Sequence, residues 1–362
     1  MKVLFLSIVP SPYQRDLFAC LHDLEGIDIQ VRYAEAGSPD SPWPKEQLAH
    51  YEQVYRSFYL SWGGKRFIVN SQLPSVEGFD AVVLNGYVTV PAQWLLRVSR
   101  TRVPLLFWGE KLERAQGGIR ERMQGILTRP MRNLAAIVAI GKQARRDYKE
   151  RFPGMPVYEV PYYCRIDAFQ KSVPQRPREP VRILFCGQMI HRKGVDLLLE
   201  AFAGLVTGGL DVRLILVGRE AELPGMLEDL PVPVRERIEY AGFQPPEALP
   251  RYFTEADIFV LPSRYDGWGV VVNQALGAGL PVICSDAVGA AEDLVETGRN
   301  GYLFPSGDGA SLQARLRELV RSPKDIRRFA SRSLEKSRDI TPMQGARDWE
   351  RILTEVTGGS HD

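Results

Sequence analysis

An alternation constrains this chain more than any other feature. Short apolar runs rich in β-branched residues take turns with segments of helical spacing along most of its length. In the first half the runs are 3–8, 27–33, 81–84, 105–108, 136–140 and 157–160, with helical patterns such as 14–24, 92–99 and 142–151 between them. Parallel strands need a long crossover to join them, and strands buried on both faces read as continuous apolar runs. The pattern therefore predicts an α/β fold with a parallel sheet covered on both faces by helices. Residues 35–75 break the rhythm with Pro, Ser, Trp and Tyr, and are read as an irregular insertion with a few short strands.

A Pro-rich, basic stretch follows at 171–180, with Pro174, Pro177 and Pro180, and is read as an exposed linker. The alternation then restarts. Strands are expected at 181–186, 212–217, 237–241, 257–261, 281–284 and 301–304, and helices at 194–206, 246–254, 269–278 and 309–320. Helical segments near 324–336 and 343–356 and a frayed Gly-Gly-Ser-His-Asp tail end the chain. A chain of 362 residues suits two such domains. We expect a first Rossmann-like domain at 1–170, a linker at 171–180, a second Rossmann-like domain at 181–340, and a terminal helix and tail at 341–362. In doubly wound sheets ligands sit outside the carboxyl ends of the strands, and a cleft between two such domains is the default site.

Composition removes several classes. A net charge of +2 argues against a dedicated nucleic-acid binder. Cys20, Cys164, Cys186 and Cys284 form no Cys-x-x-Cys pair, and the four histidines lack metal-ligand spacing, so neither a disulfide scaffold nor a metal site is expected. Cys186 and Cys284 read as small core residues on strands. Residues 1–10 are apolar but short, and read as a first strand rather than a signal peptide. No apolar run reaches about 18 residues, so no membrane-spanning helix is expected. The loop after the first strand has no glycine, which removes the Gly-x-Gly-x-x-Gly fingerprint. P-loop, Gly-x-Ser-x-Gly and Asp-x-Asp patterns are also missing.

Two segments carry the chemistry. In 185–202 a strand ends at Gly187, a basic loop follows with Arg192 and Lys193, and a helix starts at Gly194. Unpaired N–H groups at a helix start beside two cations suit a pyrophosphate. An ordinary strand–loop–helix with solvated charges fits the spacing equally well. In 257–283 a strand ends in Pro-Ser, a polar loop carries Asp266, and a helix runs from near Gly269 to Gly279. Gln274 follows Asp266 by about two helical turns, so both can face one ligand. Asp266 reads as readily as an N-cap, Gln274 as a surface residue and Trp268 as core.

Together these segments resemble the nucleotide-binding domain of retaining glycosyltransferases of the GT-B fold, the large family 4 or "group 1" class. The resemblance covers about 181–304 and rests on FCGQMIHRKGVDLLLEAF, LILVGRE, IEYAGFQPPEALPRYFTEADIFVLPSRYDGWGVVVNQALGAGLPVICSD and VETGRNGYLF. The first half matches more loosely, through PSPYQRDLF and LLFWGE. The resemblance implies two Rossmann-like domains facing a cleft, with the last helix crossing back to the first domain. It implies transfer of a sugar from a nucleotide-diphosphate donor, by default a UDP-sugar, to a glycan, lipid-linked or small-molecule acceptor without metal or other cofactor, as in polysaccharide biosynthesis.

By this resemblance Lys193 contacts the donor diphosphate. Gln188 stands where the family has arginine, so one positive charge is lost, and Arg192 is the nearest substitute. Gly187 lets backbone approach the donor closely, Gly218 and Arg219 lie near the nucleoside, and Phe243 and Gln244 in the segment that reads the base. The family's Glu-x7-Glu pair falls on Asp266, placed at the donor sugar, and Gln274, placed at the ribose. Gly267, Trp268, Gly269 and Val270 supply backbone N–H groups. Gln274 keeps a carbonyl acceptor for a ribose hydroxyl but loses the charge, and a charge-assisted bond is roughly twice as strong as a neutral one.

The acceptor is expected in the first domain, at Ser11, Pro12 and Tyr13 after the first strand, and Glu110 after Trp108 is a candidate acceptor or catalytic residue. Glu110 reads equally as an acid at a helix start. Residues 111–151 carry eleven basic against four acidic side chains. That stretch suits either a solvated helix face or contact with an anionic membrane. A cytoplasmic protein, peripheral at the inner membrane face, is the corresponding expectation. Two other classes remain open on sequence: a nucleotide-sugar epimerase or hydrolase on the same fold, and a non-catalytic sugar-nucleotide-binding subunit.

Overall fold

Burial on both faces sets the first sheet. In β1 (Lys2–Ser7) every residue from Val3 onward is buried. Leu4 and Leu6 face one side, packed with Val82, Leu84, Leu95, Phe107 and Met131. Phe5 faces the other, 5.1 Å from the ring of Phe18 and 5.4 Å from that of Trp349. Each such side chain contributes about 1.5–3 kcal/mol on burial. The structure is a computed structural model, and it describes residues 1–37, 47–62, 65–98, 103–113, 117–170 and 179–358. Most of the expected linker, 171–178, and the tail 359–362 lie outside the described residues.

The chain divides into two units. One comprises Met1–Cys164 together with Pro342 onward, the other Arg165–Thr341. In the first unit the strands after β1 are β2 (Asp28–Tyr33), β3 (Glu52–Val54), β4 (Ser57–Trp62), β5 (Lys65–Asn70), β6 (Ala81–Asn85), β7 (Leu105–Gly109), β8 (Ala136–Ala139) and β9 (Val157–Glu159). With β1, six of them form a seven-stranded parallel sheet in the order β3-β2-β1-β6-β7-β8-β9, while β4 and β5 pair as an antiparallel hairpin. The region read as an irregular insertion thus also supplies an edge strand, because β3 pairs in parallel with β2.

The terminal helix, Pro342–Gly358, buries Gly345, Ala346, Trp349, Ile352 and Leu353 along one stripe of helical spacing. It packs on the helix Pro12–His22 of the first unit, as expected of a returning helix. Gly345 makes the close approach possible, since a Cβ there would lie 2.5 Å from the Tyr163 ring.

The second unit has six parallel strands: β10 (Val181–Cys186), β11 (Val212–Val217), β12 (Ile238–Gly242), β13 (Ile258–Leu261), β14 (Val282–Ser285) and β15 (Gly301–Phe304). Their order is β12-β11-β10-β13-β14-β15, so the winding reverses between β10 and β13. In the first unit it reverses between β1 and β6. Both are doubly wound sheets of Rossmann type. Cys186 and Cys284 are buried on β10 and β14, and all four cysteines are free.

Local departures from the expected elements have backbone causes. The helix expected at 246–254 splits into a 3-10 turn, Pro246–Ala248, and a helix, Leu249–Glu255. Pro250 at the first turn of that helix lacks an N–H, which suits a helix start rather than an interior. The helix expected from 194 is preceded by a 3-10 turn, His191–Lys193, and Gly194 joins the two with φ of +71°. The helix expected at 269–278 is Val271–Gly277, because Gly269 has φ of +88° and ends the preceding loop.

Candidate functional site

The carboxyl ends of β10 and β13 flank the switch point of the second unit, and the two chemistry-bearing loops begin there. The Lys193 ammonium lies 2.5 Å from Asp266 Oδ2, and both side chains are largely buried. Two bonds between the loops that carry them hold this pair. Arg264 N–H donates to the Arg192 carbonyl at 2.8 Å, and Arg192 Nη1 donates to the Tyr265 carbonyl at 2.9 Å. Gly194 is required where the loops cross, since a Cβ there would meet the Pro262 carbonyl oxygen at 2.0 Å.

Sequence reasoning missed the strut beneath the pair. Arg264 donates to both carboxylate oxygens of Asp196 at 2.7 Å and to the His191 carbonyl at 2.7 Å. Burial works to raise the Asp196 carboxyl, but the Arg264 guanidinium outweighs it and holds the group below the usual carboxylate range. The signal was an arginine just past the strand-ending Pro-Ser and an aspartate in the first turn of the helix Val195–Thr207.

The remaining donor-side residues form a second group along β10, β11 and β12. Gly187 N–H donates to the Val217 carbonyl and Gly218 N–H to the Gly242 carbonyl, both at 2.9 Å. A Cβ at Gly218 would lie 1.8 Å from the Gly187 oxygen, so the backbones approach there as only glycine permits. The Arg219 guanidinium sits 5.8 Å over the Phe243 ring, which is half exposed and presents an open aromatic face. Gln244 Nε2 donates to the Ala241 carbonyl at 2.5 Å. Gln188 is half-buried, and its carbonyl accepts from Ile190 N–H at 3.0 Å.

Three residues of the 266–274 segment behave differently from one another. The Trp268 indole is fully buried and donates to Asn273 Oδ1 at 3.0 Å, which leaves only its backbone for a ligand. Gly267 packs its carbonyl where a Cβ on Gly289 would be, 2.0 Å away. Gln274 Oε1 is enclosed and has no hydrogen-bond partner among the described residues. An enclosed carbonyl without a donor costs about 1–3 kcal/mol.

In the first unit the carboxyl ends of β1 and β6 carry a buried polar network. Ser7 Oγ donates to Gln14 Oε1 at 2.8 Å, Gln14 Nε2 to Asn85 Oδ1 at 2.7 Å, and Asn85 Nδ2 to the Trp108 carbonyl at 2.8 Å. Asn85 was missed by sequence reasoning, although a strand that ends in a polar residue at a switch point was visible. Around the network stand the expected acceptor-side residues. Pro12 opens the helix Pro12–His22, and Ser11 Oγ is buried without a partner among the described residues. Tyr13 lies 4.7 Å from the ring of Tyr162. Burial, and then the charge of Glu110 and the neighbouring Tyr13, push the Tyr162 phenol far up. Glu110 is half-buried, and its carbonyl accepts from the Tyr148 hydroxyl at 2.6 Å. Among the described residues no helix is long and apolar enough to cross a membrane.

Two sheets of this winding, with a cationic loop at the switch point of the second, define the GT-B fold, and the chain is a glycosyltransferase. Residues 180–322 of the chain match the family model of the glycosyl transferases of group 1. Among curated proteins it is 27% identical to phosphatidyl-myo-inositol mannosyltransferase of Mycobacterium leprae, over 96% of this chain and 92% of that one. It is 32% identical to an amylovoran biosynthesis glycosyltransferase of Erwinia amylovora, over 44% of this chain and 41% of that one. Among solved structures it superposes on sucrose-phosphate synthase from Thermosynechococcus elongatus with a TM-score of 0.74 at 17% identity, covering 99% of this chain and 100% of that one. Anabaena HepE in complex with UDP gives a TM-score of 0.74 at 16% identity, covering 98% and 100%.

Proposed function

We propose that this glycosyltransferase moves a sugar from a UDP-sugar to a glycan or lipid-linked acceptor, with retention of anomeric configuration and without a metal. The observation that carries the reading is the Lys193–Asp266 pair at the switch point of the second unit, joined at 2.5 Å. Breaking the bond between the anomeric carbon and the diphosphate leaves negative charge on the departing phosphate. Preorganised positive groups aimed at that charge are the largest lever available to such an enzyme. Lys193 and Arg192 supply it, with backbone N–H groups of the Gly269–Val270 corner. Asp266 then orients the sugar through its hydroxyls. Gln274, with its enclosed carbonyl lacking a donor, suits a ribose hydroxyl. The Phe243 ring beneath Arg219 offers a face to the base.

In the front-face course the anomeric carbon–phosphate oxygen bond breaks while the bond to the acceptor oxygen forms on the same face. The acceptor's proton passes to the leaving phosphate oxygen, so no side-chain base is needed. UDP as the nucleotide draws support from Anabaena HepE, solved with UDP and with UDP-glucose. A lipid-linked acceptor draws support from the phosphatidyl-myo-inositol mannosyltransferase and from a lipopolysaccharide outer core galactosyltransferase. The acceptor would meet the enzyme near Ser11, Pro12, Tyr13 and Glu110.

A thermal-shift panel of UDP-, GDP-, ADP- and CDP-sugars tests the donor. A ligand that binds only the folded chain at one hundred times its Kd stabilises it by about 2.7 kcal/mol. A rise in melting temperature with the UDP series alone is expected. A rise with another series instead would overturn the nucleotide, and no rise with any would overturn the donor site. Lys193→Ala should remove most turnover, and an unchanged rate would sink the mechanism.

A further inference from the structure

The turn that carries Lys193 is held largely from outside. It is a single 3-10 turn, His191–Lys193, and no side chain caps its start. Within it Lys193 N–H donates to the Ile190 carbonyl at 2.9 Å and Gly194 N–H to the His191 carbonyl at 3.0 Å. Bonds of that kind do not fix so short a turn in water, because ordering its dihedrals costs more than they contribute. Further bonds reach its backbone from elsewhere. Glu222 Oε2 accepts from the His191 N–H at 2.9 Å. Arg264 adds two more, its Nη1 donating to the His191 carbonyl at 2.7 Å and its N–H to the Arg192 carbonyl at 2.8 Å.

Arg264 is itself braced. Its Nη1 and Nη2 donate to the two carboxylate oxygens of Asp196, each at 2.7 Å. Asp196 lies in the first turn of the helix Val195–Thr207, which follows the 3-10 turn directly after Gly194. Turn, helix start and the loop after β13 thus close into one ring of bonds around the Lys193 backbone. A planar fork makes two parallel bonds to a carboxylate and still turns one nitrogen to a carbonyl, which a lysine at 264 could not. The Asp196 carboxylate answers the charge of that fork, so it is not the charge offered to a phosphate. The Lys193 ammonium is bonded instead to Asp266, across the same two loops.

We propose that Arg264, braced by Asp196, is a positioning residue that fixes the His191–Lys193 backbone, so that the Lys193 ammonium passes from Asp266 to a donor diphosphate while the turn beneath it stays in place. A cation whose backbone is already ordered loses little freedom when its ligand arrives, and the charge meets the phosphate at full strength. Without the fork the turn is free to follow the ammonium back to Asp266. The inference rests on the reading of Lys193 as the diphosphate contact and adds to it the residue through which that contact is kept.

The test is calorimetric titration of the full chain with UDP and with uridine, which lacks the diphosphate. Arg264→Gln should weaken UDP binding by at least about tenfold, the scale of one charge-assisted hydrogen bond, and leave uridine within about twofold. Asp196→Asn keeps the shape and removes the brace, and should give the same split even where Arg264→Gln does not fold. In a Lys193→Ala background Arg264→Gln should add less than about twofold, since nothing is left for it to position. Equal losses for UDP and uridine would make the strut a structural tie and no more. The full loss persisting without Lys193 would make Arg264 a phosphate contact in its own right. Either result overturns the proposal, as does a parent-like UDP affinity in both variants, which leaves the donor reading standing. If the parent binds GDP, ADP or CDP in place of UDP, the UDP reading falls, and the same comparison of that diphosphate with its nucleoside decides the strut. A parent that binds no nucleoside diphosphate would overturn both.

Discussion

The Lys193–Asp266 pair has two tasks that conflict. In the free chain each neutralises the other, whereas on the proposed reading Lys193 turns its charge to a phosphate when donor binds. Removing one partner from a buried pair leaves the other uncompensated. Asp266→Asn should therefore lower both stability and turnover, while Lys193→Ala should cost about a hundredfold or more in kcat, the scale seen when one stabilising donor is lost. Steady-state kinetics beside denaturant midpoints separate the two effects. Gln274 makes a different prediction, with opposite signs in the two measurements. Gln274→Leu removes the unpartnered carbonyl, so the free chain should hold its stability or gain up to about 1 kcal/mol. The same change should weaken UDP binding by about fivefold to tenfold, for the loss of one hydrogen bond. Calorimetric titration with UDP checks it, and an unchanged Kd would remove Gln274 from the donor site. Lys193 and Asp266 were singled out in the sequence by the family pattern, and the structure joins them. The Ser7–Gln14–Asn85 network and the Arg264–Asp196 strut also join segments about 70 residues apart, but the family pattern gave their members no role, so nothing in the sequence brought them together.

At the scale of elements, the glycines at the strand ends mark where backbone meets backbone. Gly194→Ala places a Cβ 2.0 Å from the Pro262 oxygen at a φ of +71°. The left-handed conformation alone costs an alanine roughly 1–2 kcal/mol, and the collision adds to it. Gly225 lies inside the short helix Leu223–Glu228, and a Cβ there would meet nothing within 4 Å. Gly225→Ala should stabilise by about 0.5–1 kcal/mol, so two identical substitutions move the denaturant midpoint in opposite directions.

Glu52 on β3 shows how an edge strand is tied in. It accepts from Arg15 at 2.8 Å, from the Tyr33 hydroxyl at 2.6 Å and from the Ala49 N–H at 2.8 Å. Burial would raise its carboxyl, but the bonds from Arg15 and Tyr33 outweigh that and lower it from 4.5. A lowered folded value means that the stabilisation is complete above the usual carboxylate value and is lost as pH falls through the lowered one. Melting curves from neutral pH into acid should show this loss, and Glu52→Gln should flatten it. The strand periods were readable in sequence, but this tie was not, since 35–75 has no period to read.

For the whole molecule, the chain completes its first unit last. Residues 342–358 follow the entire second unit, yet they close the core around β1. The stripe of buried positions in that helix was legible, but its destination came only through the family resemblance, since an amphipathic helix does not say which sheet it covers. Trp349 is the anchor, fully buried and edge-on to Phe5 at 5.4 Å and to Trp108 at 5.5 Å. Its indole N–H has no partner among the described residues. Trp349→Ala should cost about 3–5 kcal/mol through the cavity it leaves. Trp349→Phe should cost distinctly less, because it keeps a ring and removes the unpartnered N–H. The damage has an address that sequence order alone would misplace. Hydrogen exchange in Trp349→Ala should rise in Lys2–Ser7 and Pro12–His22, some 330 residues upstream, while Val181–Cys186 keeps the protection of the parent. Raised exchange confined to the residues next to 349 in sequence would mean that the last helix is an appendage, and the assignment of 342–358 to the first unit's core would fall.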